Sequence, residues 1–321
     1  MIDAVSDEQT LARKACVYYK EVRMDIDLVA PELERIVDKN PPLDRIAYGM
    51  IFAEGPVWDR RNKQLFWVDI KGNRIWKWKP GVGREIVLEP TGHANGLTFD
   101  KEGRLVVAGW CARTIWRMEQ DGSIVTLVSH YEGKKLNTPN DIVVRSDGSI
   151  YWTDSVTGLI IPGMVAEDTQ QYLDFHGVFR LSPDGKQVSL LIDDDVYPNG
   201  LAFSPDESLL YVNNSIHRQH IRVFDVRADG TVGPGRLFHK MTGSEPGGCD
   251  GMKVDVEGNV YCTGSGGVHV IDPSGRLLGR LRIPEHCTNM AWGDDDWRSL
   301  YTTTYHSVYR TRVKIPGVAV W

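Results

Sequence analysis

Short apolar runs with polar residues at every second position recur along most of the chain. Residues 74–78 (RIWKW), 114–118 (TIWRM), 177–181 (GVFRL), 220–224 (HIRVF), 267–271 (GVHVI) and 307–311 (SVYRT) all show the two-residue period of a strand in a half-buried sheet. Ahead of each run lies another apolar, aromatic and β-branched segment: LFWV (65–68), LVV (105–107), IYWT (150–153), LYV (210–212), VYCT (260–263) and LYTT (300–303). Ahead of those again come EGPVWD (54–59), NGLTFD (95–100), NDIVVR (140–145), NGLAFS (199–204), DGMKVD (250–255) and NMAWGD (289–294). In most copies an acidic or glycine turn such as KEG (101–103) or SDG (146–148) joins the first two segments, so each unit predicts a β-hairpin followed by a third strand.

The six repeats start 41, 45, 59, 51 and 39 residues apart, the length of a four-stranded propeller blade with variable loops. The expected fold is therefore all-β, a six-bladed β-propeller over residues 44–321. The longest interval carries an insertion at about 155–175, long enough to be functional. The sixth repeat runs out near Val313 without a fourth strand. Residues 45–50 (RIAYGM) are expected to supply it and close the ring, since closure hides two sheet edges. Residues 1–43 differ in texture. Helix formers at 10–19 and 31–37, with Pro31 as a first helical residue, predict a short helical N-terminal extension.

Composition narrows the function classes. A net charge of −6 with no basic cluster speaks against nucleic-acid binding, and no run of 18 apolar residues argues for a membrane span. The five cysteines lack any CxxC pair, which fits reduced thiols in a cytoplasm better than a disulfide framework or a thiolate metal site. Nothing in the chain fixes its oligomeric state, and a homo-oligomer stays open.

The candidate chemistry lies at the repeat starts. The first strand of each blade lines the central channel, so equivalent residues converge on one axis: Glu54, Asn95, Asn140, Asn199, Asp250 and Asn289. Every member carries a side-chain oxygen, and burying two carboxylates uncompensated is costly. One divalent cation offsets both. Hard oxygen donors favour Ca²⁺, with Mg²⁺, Mn²⁺, Zn²⁺ and Fe²⁺ as alternatives. The competing reading is that Asn-Gly and Asp-Gly merely form turns, but six in register weigh against it. His93, two residues before Asn95, is placed to contact substrate. His217 and His220 have a zinc-like spacing without an acidic partner.

These residues carry a resemblance. AEGPVW (53–58), PND (139–141), PNGLAFSPDE (198–207) and DGMKVD (250–255), in this order, resemble the family of senescence marker protein (regucalcin), gluconolactonase and luciferin-regenerating enzyme over about residues 42–313. The resemblance implies a six-bladed propeller and an axial cation held by Glu54, Asn199 and Asp250. Asn140 is implied as a fourth ligand, or as a contact to substrate or a metal-bound water; from their own places at the ring, Asn95, His93 and Asn289 are expected to contact substrate with it. It implies hydrolysis of a sugar-type lactone, with the metal as Lewis acid and Asp250 as general base. Thr138 stands where animal sugar lactonases carry arginine, and Tyr197 where many bacterial relatives carry histidine. Two alternatives remain: an organophosphate hydrolase of the fluorophosphatase type, with Asp250 as nucleophile, and a noncatalytic propeller with a structural cation.

Overall fold

The computed structural model describes residues 22–162, 164–194, 197–216 and 219–321. Six antiparallel sheets follow one another along the chain, each running first strand to fourth from the channel outward. Blade 3 is representative, with strands Thr138–Val144, Ile150–Ser155, Gly177–Leu181 and Val188–Ile192. The hairpin turns form where acidic residues close on their own backbone: Asp100 Oδ1 accepts from the amides of Glu102 at 3.1 Å and Arg104 at 2.9 Å. One carboxylate thus satisfies donors that the turn leaves unpaired.

Blade 6 consists of Cys287–Gly293, Ser299–Thr304 and Ser307–Arg312, and its outer strand is Leu43–Tyr48, in register from Leu43↔Thr311 to Tyr48↔Ser307. The ring is closed by the strand expected from the sequence, beginning two residues earlier. Of the N-terminal stretch, the predicted helix at 10–19 lies outside the described residues. The stretch 31–37 forms a single helical turn, Leu33–Ile36. Before it, Asp25–Leu28 adds a fifth strand to blade 5, which the sequence reading did not foresee. Asp27 fixes that strand through Arg280 at 3.1 Å and Arg282 at 2.9 Å.

Apolar clusters fill all six junctions between neighbouring blades. Aromatic pairs bridge several of them: Trp58–Tyr301 between blades 6 and 1, Phe66–Phe99 between 1 and 2, and Tyr151–Phe203 between 3 and 4. Flat rings fill the gaps between neighbouring blades.

Two segments act on the ends of the channel. The insertion after Ser155 folds over the face from which the first strands start. Its residues Val156, Leu159 and Ala166 pack with Cys111 and Tyr197. Arg113, fully buried, pins the insertion, donating from Nη1 to the carbonyls of Asp168 and Gln170, both at 2.9 Å, and from Nε to Leu136 and Asn137. At the opposite face the C-terminal tail crosses from blades 5 and 6 to blades 2 and 3. The Val318 amide donates to Val254, and Trp321 donates from its indole to the Val144 carbonyl while stacking under Lys101. Among the described residues no helix is long and apolar enough to cross a membrane. Cys111, Cys249, Cys262 and Cys287 are free thiols; Cys16 lies outside the described residues.

Candidate functional site

The glycine following most repeat starts has a packing reason. A Cβ at Gly96 would lie 2.6 Å from the Asn140 carbonyl oxygen, and one at Gly200 would lie 2.3 Å from that of Asp250. In place of a side chain, neighbouring blades exchange hydrogen bonds: Gly96 donates to Asn140 at 2.8 Å and Gly200 to Asp250 at 3.1 Å. The first strands can therefore crowd the axis, which brings their leading side chains together.

Second strands anchor that ring from behind. The amides of Asp250, Asn289 and Asp141 donate to the hydroxyls of Thr263 at 2.9 Å, Thr303 at 3.1 Å and Thr153 at 3.1 Å, and the Gly200 amide donates to Asn213 Oδ1 at 3.2 Å. Backbone positions held by fully paired buried groups keep the ring side chains preorganised.

Within the ring, Glu54 is buried. Its Oε2 accepts from the Gly55 amide at 2.5 Å and from Asn289 Nδ2 at 2.9 Å. The Asn199 side chain stands beside the Asp250 carboxylate and lowers its proton affinity. Burial raises Glu54 from an ordinary glutamate to about 7, helped by the charge of Asp141 and opposed by its hydrogen bonds. Asp250 is pushed well above the usual carboxylate range, first by burial and then by the Glu54 charge. The acids thus share one low-dielectric space, in which the Glu54 charge raises Asp250 and the Asp141 charge raises Glu54. Asn140 and Asn95 are also buried; the Asn140 carbonyl accepts from Gly96 across the blade junction, and the Asn95 amide donates to Ala108 within its own blade. Among the described residues there is no group of three or more His, Cys, Asp and Glu side chains placed to hold a metal. The candidate donor set is two carboxylates with carboxamides.

His93 stands at φ +52°, its amide donating to Asn73 Oδ1 and its Nδ1 to the Ile70 carbonyl at 2.6 Å. A carbonyl only accepts, so the proton sits on Nδ1 and the lone pair of the neutral ring is on Nε2. His217 lies outside the described residues.

Several side chains around the mouth escaped the sequence reading. Tyr305 stacks on His286 with ring centroids 4.4 Å apart and meets Phe52 at 4.6 Å; His176 packs edge-on, at 4.7 Å, to Tyr197, the one member of this collar that the sequence had singled out. Burial, with the Asp250 carboxylate nearby, raises the Tyr305 phenol. The signal was a histidine or aromatic residue in successive loops of one face, legible only once the loops are assigned to that face. Asp141, directly after Asn140, was passed over as well.

The SMP-30/gluconolactonase/LRE-like family model matches residues 52–306. The chain belongs to this family. Among its relatives in this gluconolactonase-like family is a gluconolactonase of Zymomonas mobilis, 32% identical over 312 residues, covering 90% of this chain and 86% of the relative. A pentonolactonase of Haloferax volcanii is 28% identical over 258 residues, covering 78% and 81%. A solved gluconolactonase structure from Xanthomonas campestris superposes with a TM-score of 0.84 at 32% identity, covering 90% of this chain and 95% of that one.

Proposed function

We propose that the chain hydrolyses a sugar-type lactone to its hydroxy acid in the channel mouth, with one divalent cation, Ca²⁺ first among the candidates, held by Glu54, Asn140, Asn199 and Asp250. The observation that carries this reading is the convergence of buried Glu54 and half-buried Asp250 from equivalent positions of two blades, with Asn289 donating to the first carboxylate and Asn199 beside the second. Such a pair fits a cation: each acid loses the penalty of being charged beside the other, and carboxylate with amide oxygens is the donor chemistry of hard divalent ions. The buried Asp141 Oδ2, which has no hydrogen-bond partner among the described residues, adds negative field at the same place. The identity with the gluconolactonase of Zymomonas mobilis supports the substrate class.

A bound cation supplies Lewis acidity toward the lactone carbonyl and opposite charge for the oxyanion. Asp250 acts as general base. Its carboxylate takes a proton from water as the water oxygen bonds to the carbonyl carbon, and returns it to the ring oxygen as the C–O bond breaks. A carboxylate whose proton affinity is raised by burial is suited to both transfers near neutral pH. Asn289 keeps Glu54 oriented through the 2.9 Å bond to Oε2. Asn95, Asn140 and the free Nε2 of His93 bind substrate hydroxyls, and the Tyr305–His286 stack forms an apolar wall for the sugar ring.

The test is base uptake in a pH-stat with gluconolactone and pentonolactones, before and after chelation, alongside an organophosphate panel. Turnover of lactones that disappears on chelation and returns with added Ca²⁺ is expected, and Asp250→Asn should lower kcat about 10³-fold. Near-native turnover by Asp250→Asn would remove it as base. Activity confined to the organophosphates would replace the lactone reading.

A further inference from the structure

Three residues beyond each repeat start, the first strand of every blade borders a cavity below the ring. These positions are Val57, Thr98, Val143, Ala202, Lys253 and Trp292, and all of them line a cavity of about 370 Å³ between the ring and the C-terminal tail. Five are uncharged. Lys253 alone carries a charge, with its side chain only 23% exposed, its Nζ 3.8 Å from Asp141 Oδ2, 3.5 Å from Asn289 Oδ1 and 3.0 Å from the Met252 carbonyl.

Asp141 is the matching oddity. It occupies the place held by Gly55, Gly96, Gly200 and Gly251 in four other repeats and by Met290 in the last. Its side chain is 3% exposed. Oδ1 accepts from the Ile142 amide at 2.9 Å, while buried Oδ2 has the Lys253 ammonium as its neighbouring charge and no hydrogen bond. The axis therefore gathers three carboxylates, Glu54, Asp141 and Asp250, and one ammonium. Their sum is −2, the charge that one divalent ion cancels.

We propose that Lys253 is a positioning residue that sets the charge capacity of the channel, neutralising Asp141 from below so that the ring above holds a single divalent cation in preference to a trivalent one or a second ion. The inference rests on the metal reading given above. A buried field left at −3 would favour every added ionic charge, so selectivity between ions of different valence reports on Lys253 directly. Loss of packing alone has no reason to change that ratio.

The experiment uses the full chain stripped of metal, titrated calorimetrically with Ca²⁺ and with Tb³⁺, with bound ions counted by native mass spectrometry. Wild type is expected to take up one ion. Lys253→Met should raise the Tb³⁺/Ca²⁺ affinity ratio about tenfold, the scale of one charge at an effective dielectric of about 20, or admit a second ion. Lys253→Arg should keep the wild-type ratio. Asp141→Asn should lower the ratio by a similar factor, and the charge-balanced double variant Asp141→Asn/Lys253→Met should restore it, which keeps the test alive if Lys253→Met alone fails to fold. An unchanged ratio and stoichiometry in Lys253→Met, or in Asp141→Asn where the former does not fold, overturns the role of Lys253 and leaves the metal reading standing. A wild-type chain that binds no ion overturns the metal reading and this inference with it.

Discussion

Replacing Gly200 by alanine adds one methyl group between two blades, and its effect follows from three distances. The new Cβ would sit 2.3 Å from the Asp250 carbonyl oxygen, 2.8 Å from Asn213 Nδ2 and 2.9 Å from the Met252 amide, where ordinary contact begins at 3.4 Å. Relief requires the strand leading from Asp250 to move by about 1 Å, since Asn213 donates to the Asp250 carbonyl at 2.7 Å and Thr263 holds the Asp250 amide. Overpacking of this kind costs about 1–3 kcal/mol in stability. A displacement of about 1 Å in a catalytic group costs on the order of 10²-fold in rate. Gly200→Ala should therefore lose about 100-fold in kcat/KM on its lactone while remaining folded, with Ca²⁺ affinity falling in parallel. Gly233→Ala, whose Cβ would meet only Asp225 at 3.7 and 3.9 Å, is the control. Paired steady-state kinetics and calorimetric melting decide the matter. If Gly200→Ala matches Gly233→Ala in both, the argument that inter-blade contact places Asp250 is wrong.

Ion-free stability should depend on pH in a definite direction. Glu54 sits at about 7 in the folded chain against 4.5 for an ordinary glutamate, so the folded state holds the extra proton, and stability falls as pH rises from about 4.5 through 7. The loss from Glu54 is on the order of 3 kcal/mol, and Asp154, raised by burial to about 7, contributes in the same sense. Saturating Ca²⁺ should cancel the Glu54 share but not that of Asp154, so melting curves of loaded and chelated protein should separate progressively across this window; superimposable pH profiles would refute the coupling. Arg113→Met should leave the Leu136 and Asn137 carbonyls without their buried donor, at a cost of about 3–5 kcal/mol, and release the insertion. Faster proteolytic cleavage within residues 155–176 and a raised KM are the expected readouts, and an uncut loop would argue that the cluster around Leu159 and Tyr197 suffices to hold it.

The blades and the ring were legible because the same signal is written six times: turn chemistry, strand period and an oxygen-bearing residue at each start agree. Asp141 was hidden by a local irregularity, and Lys253 by its distance in sequence from the carboxylate it faces. Strand alternation puts positions 0 and 2 on one face, yet a bulge after the ring residue shifts the register between Glu54 and Val57, Pro139 and Ile142, and Pro198 and Leu201. Within such a bulge, a pattern read by period alone does not say which way a side chain such as Asp141 points. The strand Asp25–Leu28 was missed for another reason. Its order comes from Arg280 and Arg282, more than 250 residues away in the chain, and four residues carry too little periodicity to announce a strand. The Tyr305–His286 wall arises where the Cys287↔Thr304 pairing brings two loops of blade 6 side by side.

The C-terminal tail gives the torus a floor. Val318 to Trp321 lie across the far opening and line the cavity beneath the ring, so a sugar lactone bound at the ring is expected to enter, and its hydroxy acid to leave, by the opposite mouth. Turnover would then proceed by exchange at a single threshold, the charged product facing the same insertion and aromatic collar as its neutral precursor.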